Sequence, residues 1–250
     1  MTDRGIVTTN IDGGVATIDF AHPKSNSLPG SLLADIASAV RTLGDDPGVR
    51  VIVLRSQGDG AFCAGASFSE LQAITDQGVG TKFFMGFATL ILTMIRCPKF
   101  IVTRVQGKAV GGGIGIIAAS DYVLATQAAS VRLSELAVGI GPFVVGPVIE
   151  RKIGLAAFSV LAVGAAWQDA RWAESRGLYA SVHGTTEQLD DAVQELAQRL
   201  AARNPEAMSR LKASFWEGTE NWDELLANRA AASGVLVLSE FAQRAIAGHG

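Results

Sequence analysis

The segment Gly107-Lys108-Ala109-Val110-Gly111-Gly112-Gly113-Ile114-Gly115 constrains this chain more than any other. It follows a β-prone apolar run at 100–105 and leads into a second, 114–119, that reads as a buried helix. Three consecutive glycines cost backbone entropy and contribute no side-chain packing. In return they let a ligand approach bare amide N–H groups at a helix N-terminus, where the dipole favours negative charge. Such a loop suits a phosphate or an oxyanion. It equally suits a tight turn between two buried elements.

Composition narrows the class of protein. Apolar residues make up 48% of the 250 and charged residues only 18%, which favours an ordered globular chain over a disordered one. A net charge of −3 leaves no footprint for nucleic acid or an anionic membrane. Cys63 and Cys97 lack metal-ligand spacing and are too few for a disulfide framework, so no metal and a reduced, cytoplasmic setting are expected. Residues 1–5 open no signal-peptide pattern. The apolar stretch 136–149 is broken by Gly139, Gly141, Pro142, Gly146 and Pro147, which rules out a spanning helix there and leaves a soluble protein as the expectation.

Turn signals and periodicity place strands at 6–10 and 15–20 around Asp12-Gly13-Gly14, and again at 49–54, 100–105 and 122–126. Leu32, Leu33, Ile36, Val40 and Leu43 share one side of a helix at 32–43, and a long apolar helix runs over 83–95. Repeated return to strand predicts an α/β arrangement of stacked turns. From about residue 145 helices dominate, at 148–153, 155–163, 169–175, 187–202 and 205–216, with a last one over 222–246. Apolar residues there, such as Leu225, Val235, Leu238 and Phe241, exceed what one exposed helix needs, so burial against the core or another subunit is expected.

Two glycine-marked loops carry the candidate chemistry. Residues 113–118 match G-x-G-x-x-A, a dinucleotide fingerprint, with Glu135 at the spacing of a ribose-binding acid. That fingerprint needs its first glycine at the strand's end, whereas residues 107–110 intervene here, so the match is the weaker reading. The second loop, 61–71, keeps small residues from Cys63 to Ser67 ahead of a helix start at Ser67 or Ser69. Alone it is an ordinary strand-to-helix connection. Paired with the triple glycine, it supplies a second backbone N–H donor for a single oxygen. Two such donors form an oxyanion hole, in which losing one typically costs ~2.7–4 kcal/mol of transition-state stabilisation.

The Ala-Phe-Cys-Ala-Gly-Ala run at 61–66 and the glycines at 111–113 resemble the two hallmarks of the crotonase family, the enoyl-CoA hydratase/isomerase group. The loop His22-Pro23-Lys24-Ser25-Asn26-Ser27-Leu28 resembles the family's early loop beside the CoA nucleotide. The resemblance implies a crotonase-type α/β spiral of ββα turns over 1–195, holding the CoA-binding and active site. A C-terminal helical trimerisation region over 196–250 would pack on the core or on a neighbouring subunit of a homotrimer or homohexamer. It implies an acyl-CoA substrate, coenzyme A being part of that thioester, and no tightly bound cofactor. The thioester carbonyl would lie between the N–H groups of Ala66 and Gly112. Lys24, Asn26, Ser27, Leu28 and Ala64 would line the CoA, and Phe68, Leu71, Gly115, Phe143 and Val144 the acyl group.

Hydratases of the family use two glutamates, and this chain has Gly115 at the first position and Glu135 at the second. Among Leu133, Leu136, Val138 and Ile140 a carboxylate is desolvated, which raises its pKa. The plain alternative for Glu135 is a surface acid beside a helix cap. One carboxylate suffices to move a proton between two carbons, so the resemblance implies double-bond isomerisation before hydration. A hydratase recruiting another acid, for which Glu70 is a candidate, and a non-catalytic acyl-CoA-binding subunit are the alternatives. Ser67 replaces the family's loop aspartate, and Phe143 stands where the dehalogenases carry their nucleophile. Phe143, Val144 and Val145 shape the acyl pocket or are plain core. Asp121 is expected to be structural, and Cys63 and the histidines 22, 183 and 249 to be non-catalytic; Lys24 and Arg104 are candidates to reach CoA phosphates, the plain alternative being solvated surface cations.

Overall fold

Gly13 and Gly14 both take positive φ, as a two-residue hairpin turn requires, and the turn pairs strand β1 (Ile6–Asp12) antiparallel with β2 (Val15–Ala21). The structure is a computed structural model that describes residues 4–248. Helix α1 (Gly30–Asp45) returns the chain to β3 (Val51–Ser56), parallel to β2. The short α2 (Phe68–Gln72) and the long α3 (Gln77–Arg96) then lead to β4 (Phe100–Val105). After β5 (Ala109–Val110) come α4 (Gly112–Ala119), β6 (Tyr122–Thr126) and β7 (Ser130–Arg132). The remainder is α5 (Gly146–Gly164), β8 (Gln168–Asp169), α6 (Ala170–Ser175), β9 (Ser181–His183), α7 (Thr186–Ala201), α8 (Pro205–Phe215), α9 (Trp222–Leu236) and α10 (Glu240–Ala247).

Six strands form the main sheet in the order β1-β2-β3-β4-β6-β9, parallel apart from β1, and β5-β7-β8 form a small second sheet. Strand alternation divides the core between two faces. On β3, Ile52 and Leu54 join the large cluster containing α1 and α3, whereas Val51 and Val53 pack with Leu189, Val193 and Leu196 of α7. The α1 stripe read from the sequence is the buried one: Leu32, Leu33, Ile36 and Val40 are fully buried. Helix α7 runs through residue 195, so the spiral and the C-terminal helices share a core.

Three features differ from the sequence reading, each for a local reason. Helix α3 starts at Gln77, well before 83, because Asp76 caps it by accepting from the Val79 N–H at 2.9 Å. The helix expected over 222–246 breaks into α9 and α10, bent by 77°, where Ser239 accepts from the Ala242 N–H. The small sheet has no counterpart in the sequence reading, since strands of two or three residues have no readable period.

Charged residues also tie the layers together. Lys212 of α8 is 1% exposed and places its ammonium 2.7 Å from Asp121 Oδ2, while Asp121 also accepts from the Ile101 N–H at 2.8 Å. Asp121 therefore has the structural place expected of it. Arg104 is buried against Asp190 of α7, its Nε donating at 2.6 Å. It is buried at the α7 face of the sheet and is not the exposed cation of the sequence reading.

Candidate active site

The two glycine-marked loops are joined by hydrogen bonds. Cys63 N–H donates to Lys108 O at 3.1 Å, and Val110 N–H donates to Cys63 O at 2.9 Å. Each glycine of the triplet is required by a different neighbour. Gly111 has φ +52, and a Cβ there would sit 2.8 Å from Glu135 Oε1. A Cβ on Gly112 would overlap the Phe87 ring, and one on Gly113 would come within 2.7 Å of Cys63 Cβ. The triplet thus lets the carboxylate, an aromatic wall and the other loop all close on one backbone segment.

Local geometry also explains why two amides remain free for a ligand. In the bridge between residues 28 and 66, Leu28 N–H donates to Gly65 O at 2.8 Å and Ser67 N–H donates to Leu28 O at 3.2 Å. A parallel bridge of this kind uses the residues flanking Ala66, so the Ala66 N–H points to the opposite side. Gly112 is the first residue of α4, and a first-turn N–H has no acceptor within its own helix. Ala66 and Gly112 both line one narrow cavity of about 80 Å³.

Glu135 lines the same cavity from the turn after β7. The residue is half-buried, but Oε2 is shielded from solvent and has no hydrogen-bond partner among the described residues. Desolvation raises its pKa to about 7, against the opposing pull of the backbone N–H groups at Glu135 and Ser134. Among the described residues, the only other polar side chains on the wall are Ser134 and Ser233, and none of those lining it is basic. The remaining lining is apolar, from Phe68, Leu71, Phe84, Phe87, Val138, Ile140, Phe143, Val144 and Val145 among others.

Of the residues singled out in the sequence, Ala64, Ala66, Phe68, Leu71, Gly112, Glu135, Phe143 and Val144 come together here. Gly115 does not. It lies beneath Val145, whose Cγ1 would be 2.6 Å from a Cβ on it, so Val145 forms the wall in its place. Asn26, Ser27 and Leu28 are buried and turned into the fold. Asn26 Oδ1 accepts from the His22 N–H at 3.0 Å while its amide donates to Gln57 O and Ala61 O. Ser27 Oγ pairs with His22 Nδ1 at 2.9 Å. These side chains brace the early loop against the oxyanion loops and do not line the cavity. Lys24 is exposed at the rim of that loop.

Other candidates resolve as structural groups. His183 pairs with Ser181 Oγ, and His249 lies outside the described residues. Burial pushes the Cys63 thiol up to about 12, which leaves it without nucleophilic character at neutral pH. Ser67 caps α2, its Oγ accepting from the Glu70 N–H at 3.4 Å. Glu70 turns away from the cavity and accepts from the Gly30 N–H at 2.8 Å, at the start of α1. Glu70→Ala should therefore cost about 0.5–2 kcal/mol of stability, as loss of a helix cap does, and leave turnover unchanged. Thermal unfolding together with steady-state kinetics checks both parts.

Sequence reasoning missed Phe84 and Phe87 of α3 and Ser233 of α9. The aromatic spacing on α3 marks a buried face, but nothing in it says that this face borders a ligand.

A family model described as enoyl-CoA hydratase/isomerase matches residues 10–245. The chain belongs to the enoyl-CoA hydratase/isomerase family, within the crotonase superfamily. Its relatives include the mitochondrial methylglutaconyl-CoA hydratase of Rattus norvegicus, 31% identical over 222 residues, covering 87% of this chain and 68% of that protein. A Rhodococcus jostii protein, (7aS)-7a-methyl-1,5-dioxo-2,3,5,6,7,7a-hexahydro-1H-indene-carboxyl-CoA hydrolase, is 32% identical over 132 residues, 53% of this chain. The match spans about half of that relative's length, 51%. In fold the chain is similar to an enoyl-CoA hydratase of Bacillus halodurans at TM-score 0.89 and 20% identity, covering 97% of this chain and 99% of that one. The α/β spiral with trailing helices is thus the fold of the family.

Proposed function

We propose that this chain isomerises the double bond of an enoyl-CoA, with Glu135 as the one proton shuttle and Ala66 N–H and Gly112 N–H holding the thioester oxygen. The observation that supports it best is a lone carboxylate, with an unpartnered oxygen and a pKa near 7, on a cavity lined by both amides. Glu135 removes an α proton from a β,γ-enoyl thioester and the electron pair moves into the conjugated dienolate. The two amides stabilise its oxygen as charge develops. The carboxylic acid then returns the proton to the γ carbon, giving the α,β-enoyl thioester. No second acid is needed, and the wall holds none: Val145 fills the space beside Gly115.

Lys24, exposed on the early loop, suits the approach of a CoA phosphate. The exposed apolar residues Leu155, Val160 and Val163 of α5, with Trp167, support assembly as a homotrimer or homohexamer, and the free thiols of Cys63 and Cys97 suit a cytoplasmic setting.

A second reading rests on the Rhodococcus relative, whose name is that of a hydrolase. Hydration and hydrolysis both draw an oxygen from water, whereas isomerisation draws none. Turnover of β,γ-enoyl-CoA in heavy-oxygen water should give an unlabelled α,β-enoyl product by mass spectrometry. Label in the product would replace isomerisation with one of the water-adding reactions.

A further inference from the structure

Two stretches of the cavity wall are backed by residues that do not themselves reach the cavity. Val145 lines it and rests on Gly115 of α4, where a Cβ would stand 2.6 Å from Val145 Cγ1. Phe84 and Phe87 of α3 line it as well, and Phe83 packs edge-to-face on both, with ring centroids 5.4 and 5.9 Å apart. Val145 and the three phenylalanines are all buried. A close-packed interior yields little, so neither Val145 nor the two rings can withdraw to lengthen the space.

The space itself is small, about 80 Å³. An apolar cavity of about 150 Å³ holds one benzene ring, so this one takes roughly three carbons. Ala66, Gly112 and Glu135 serve the thioester group, which leaves the apolar wall to the acyl chain. Roughly three carbons beyond the carbonyl make a four-carbon acyl group. That is also the shortest chain able to carry a β,γ double bond.

We infer that Val145, with Phe84 and Phe87, sets substrate specificity by length: the wall admits acyl groups of roughly four carbons and rejects longer chains. This rests on the acyl-CoA reading of the cavity, and the test separates the two. Calorimetry would give the Kd of acetyl-, butanoyl-, hexanoyl- and octanoyl-CoA for the wild type and for Val145→Ala. Saturated thioesters report binding without chemistry.

For the wild type, Kd should fall roughly 4-fold per methylene up to butanoyl, as burial of apolar carbon allows. Hexanoyl and octanoyl should then bind more weakly than butanoyl, by about 5-fold or more, the usual cost of overpacking. Val145→Ala removes two methyl groups from the wall and should move the tightest binding from butanoyl to hexanoyl. A valine with a structural role alone would lower stability and leave that optimum in place. Equal or tighter binding of the longer chains by the wild type, or an unmoved optimum in the variant, overturns the proposal. If Val145→Ala does not fold, the wild-type series still decides. If no CoA thioester binds at all, the acyl-CoA reading fails, and the length limit with it.

Discussion

Glu135→Gln is expected to lower turnover of the preferred acyl-CoA by about 10²- to 10⁴-fold, the usual worth of a well-placed general base. The amide keeps the volume beside Gly111, so the two oxyanion amides and the Kd for a CoA thioester stay as they are. The pH dependence carries a second signature. A base must be deprotonated to act, and the pKa of Glu135 is about 7. Below that value kcat/KM should therefore rise about tenfold per pH unit, and above it should level off.

Stability should move the other way. The folded carboxyl holds its proton more tightly than the unfolded one, whose pKa is 4.5, so the folded state binds more protons between the two values. Its contribution to stability is fully present below 4.5 and is lost as the pH rises through about 7. The loss is roughly 3 kcal/mol, from a shift of this size at 1.36 kcal/mol per unit. Glu135→Gln removes that loss: the variant should match the wild type near pH ~4 and exceed it in stability near pH ~8. Denaturant unfolding at the two pH values tests this, and equal stability at both would contradict it.

Lys212→Met is expected to cost about 3–5 kcal/mol, as breaking a buried ion pair does when one charge stays behind. Asp121 would keep only the Ile101 N–H and the more distant positive charge of Lys152. Burial pulls the pKa of Lys152 down while Asp121 holds it up, and its ammonium already donates to Ser120 O at 2.8 Å. That residual counter-charge places the expected loss toward the lower end. For a chain of this size the Tm should fall by about 10 °C. The double variant Lys212→Met, Asp121→Asn strands neither member of the pair, leaving Lys152 with the Ser120 carbonyl alone, and should recover most of the loss. Thermal unfolding of the single and double variants measures the coupling; two independent, additive losses would rule out the pair as the cause.

Features that depend on local chemistry are the ones legible in the sequence. The α1 stripe, the glycine hairpin, the paired loops and Glu135 each depend on periodicity, turn chemistry or a short motif; the stripe is buried, the hairpin forms, and the loops and Glu135 line one cavity. Less legible are contacts set by packing between distant segments. Glu70 reads as a carboxylate available to the site, but it caps α1 because the turn at 65–67 aims α2 toward Gly30. Arg104 reads as a free cation until β4 and α7 come together and Asp190 meets it. Asn26 and Ser27 look like ligand-binding polar residues, yet their hydrogen bonds go to His22, Gln57 and Ala61. Ser233 carries no motif at all. Its place on the cavity depends on a glycine pair, 80 and 234, that only the fold brings together.

The central claim is that two main-chain amides and one carboxylate generate an enolate from a CoA thioester. Proton exchange at the α carbon of a saturated acyl-CoA in deuterium oxide, followed by mass spectrometry, measures that step alone. The wild type should incorporate deuterium at the α carbon and Glu135→Gln should not. Absence of exchange with the wild type, or equal exchange by both proteins, would contradict the account.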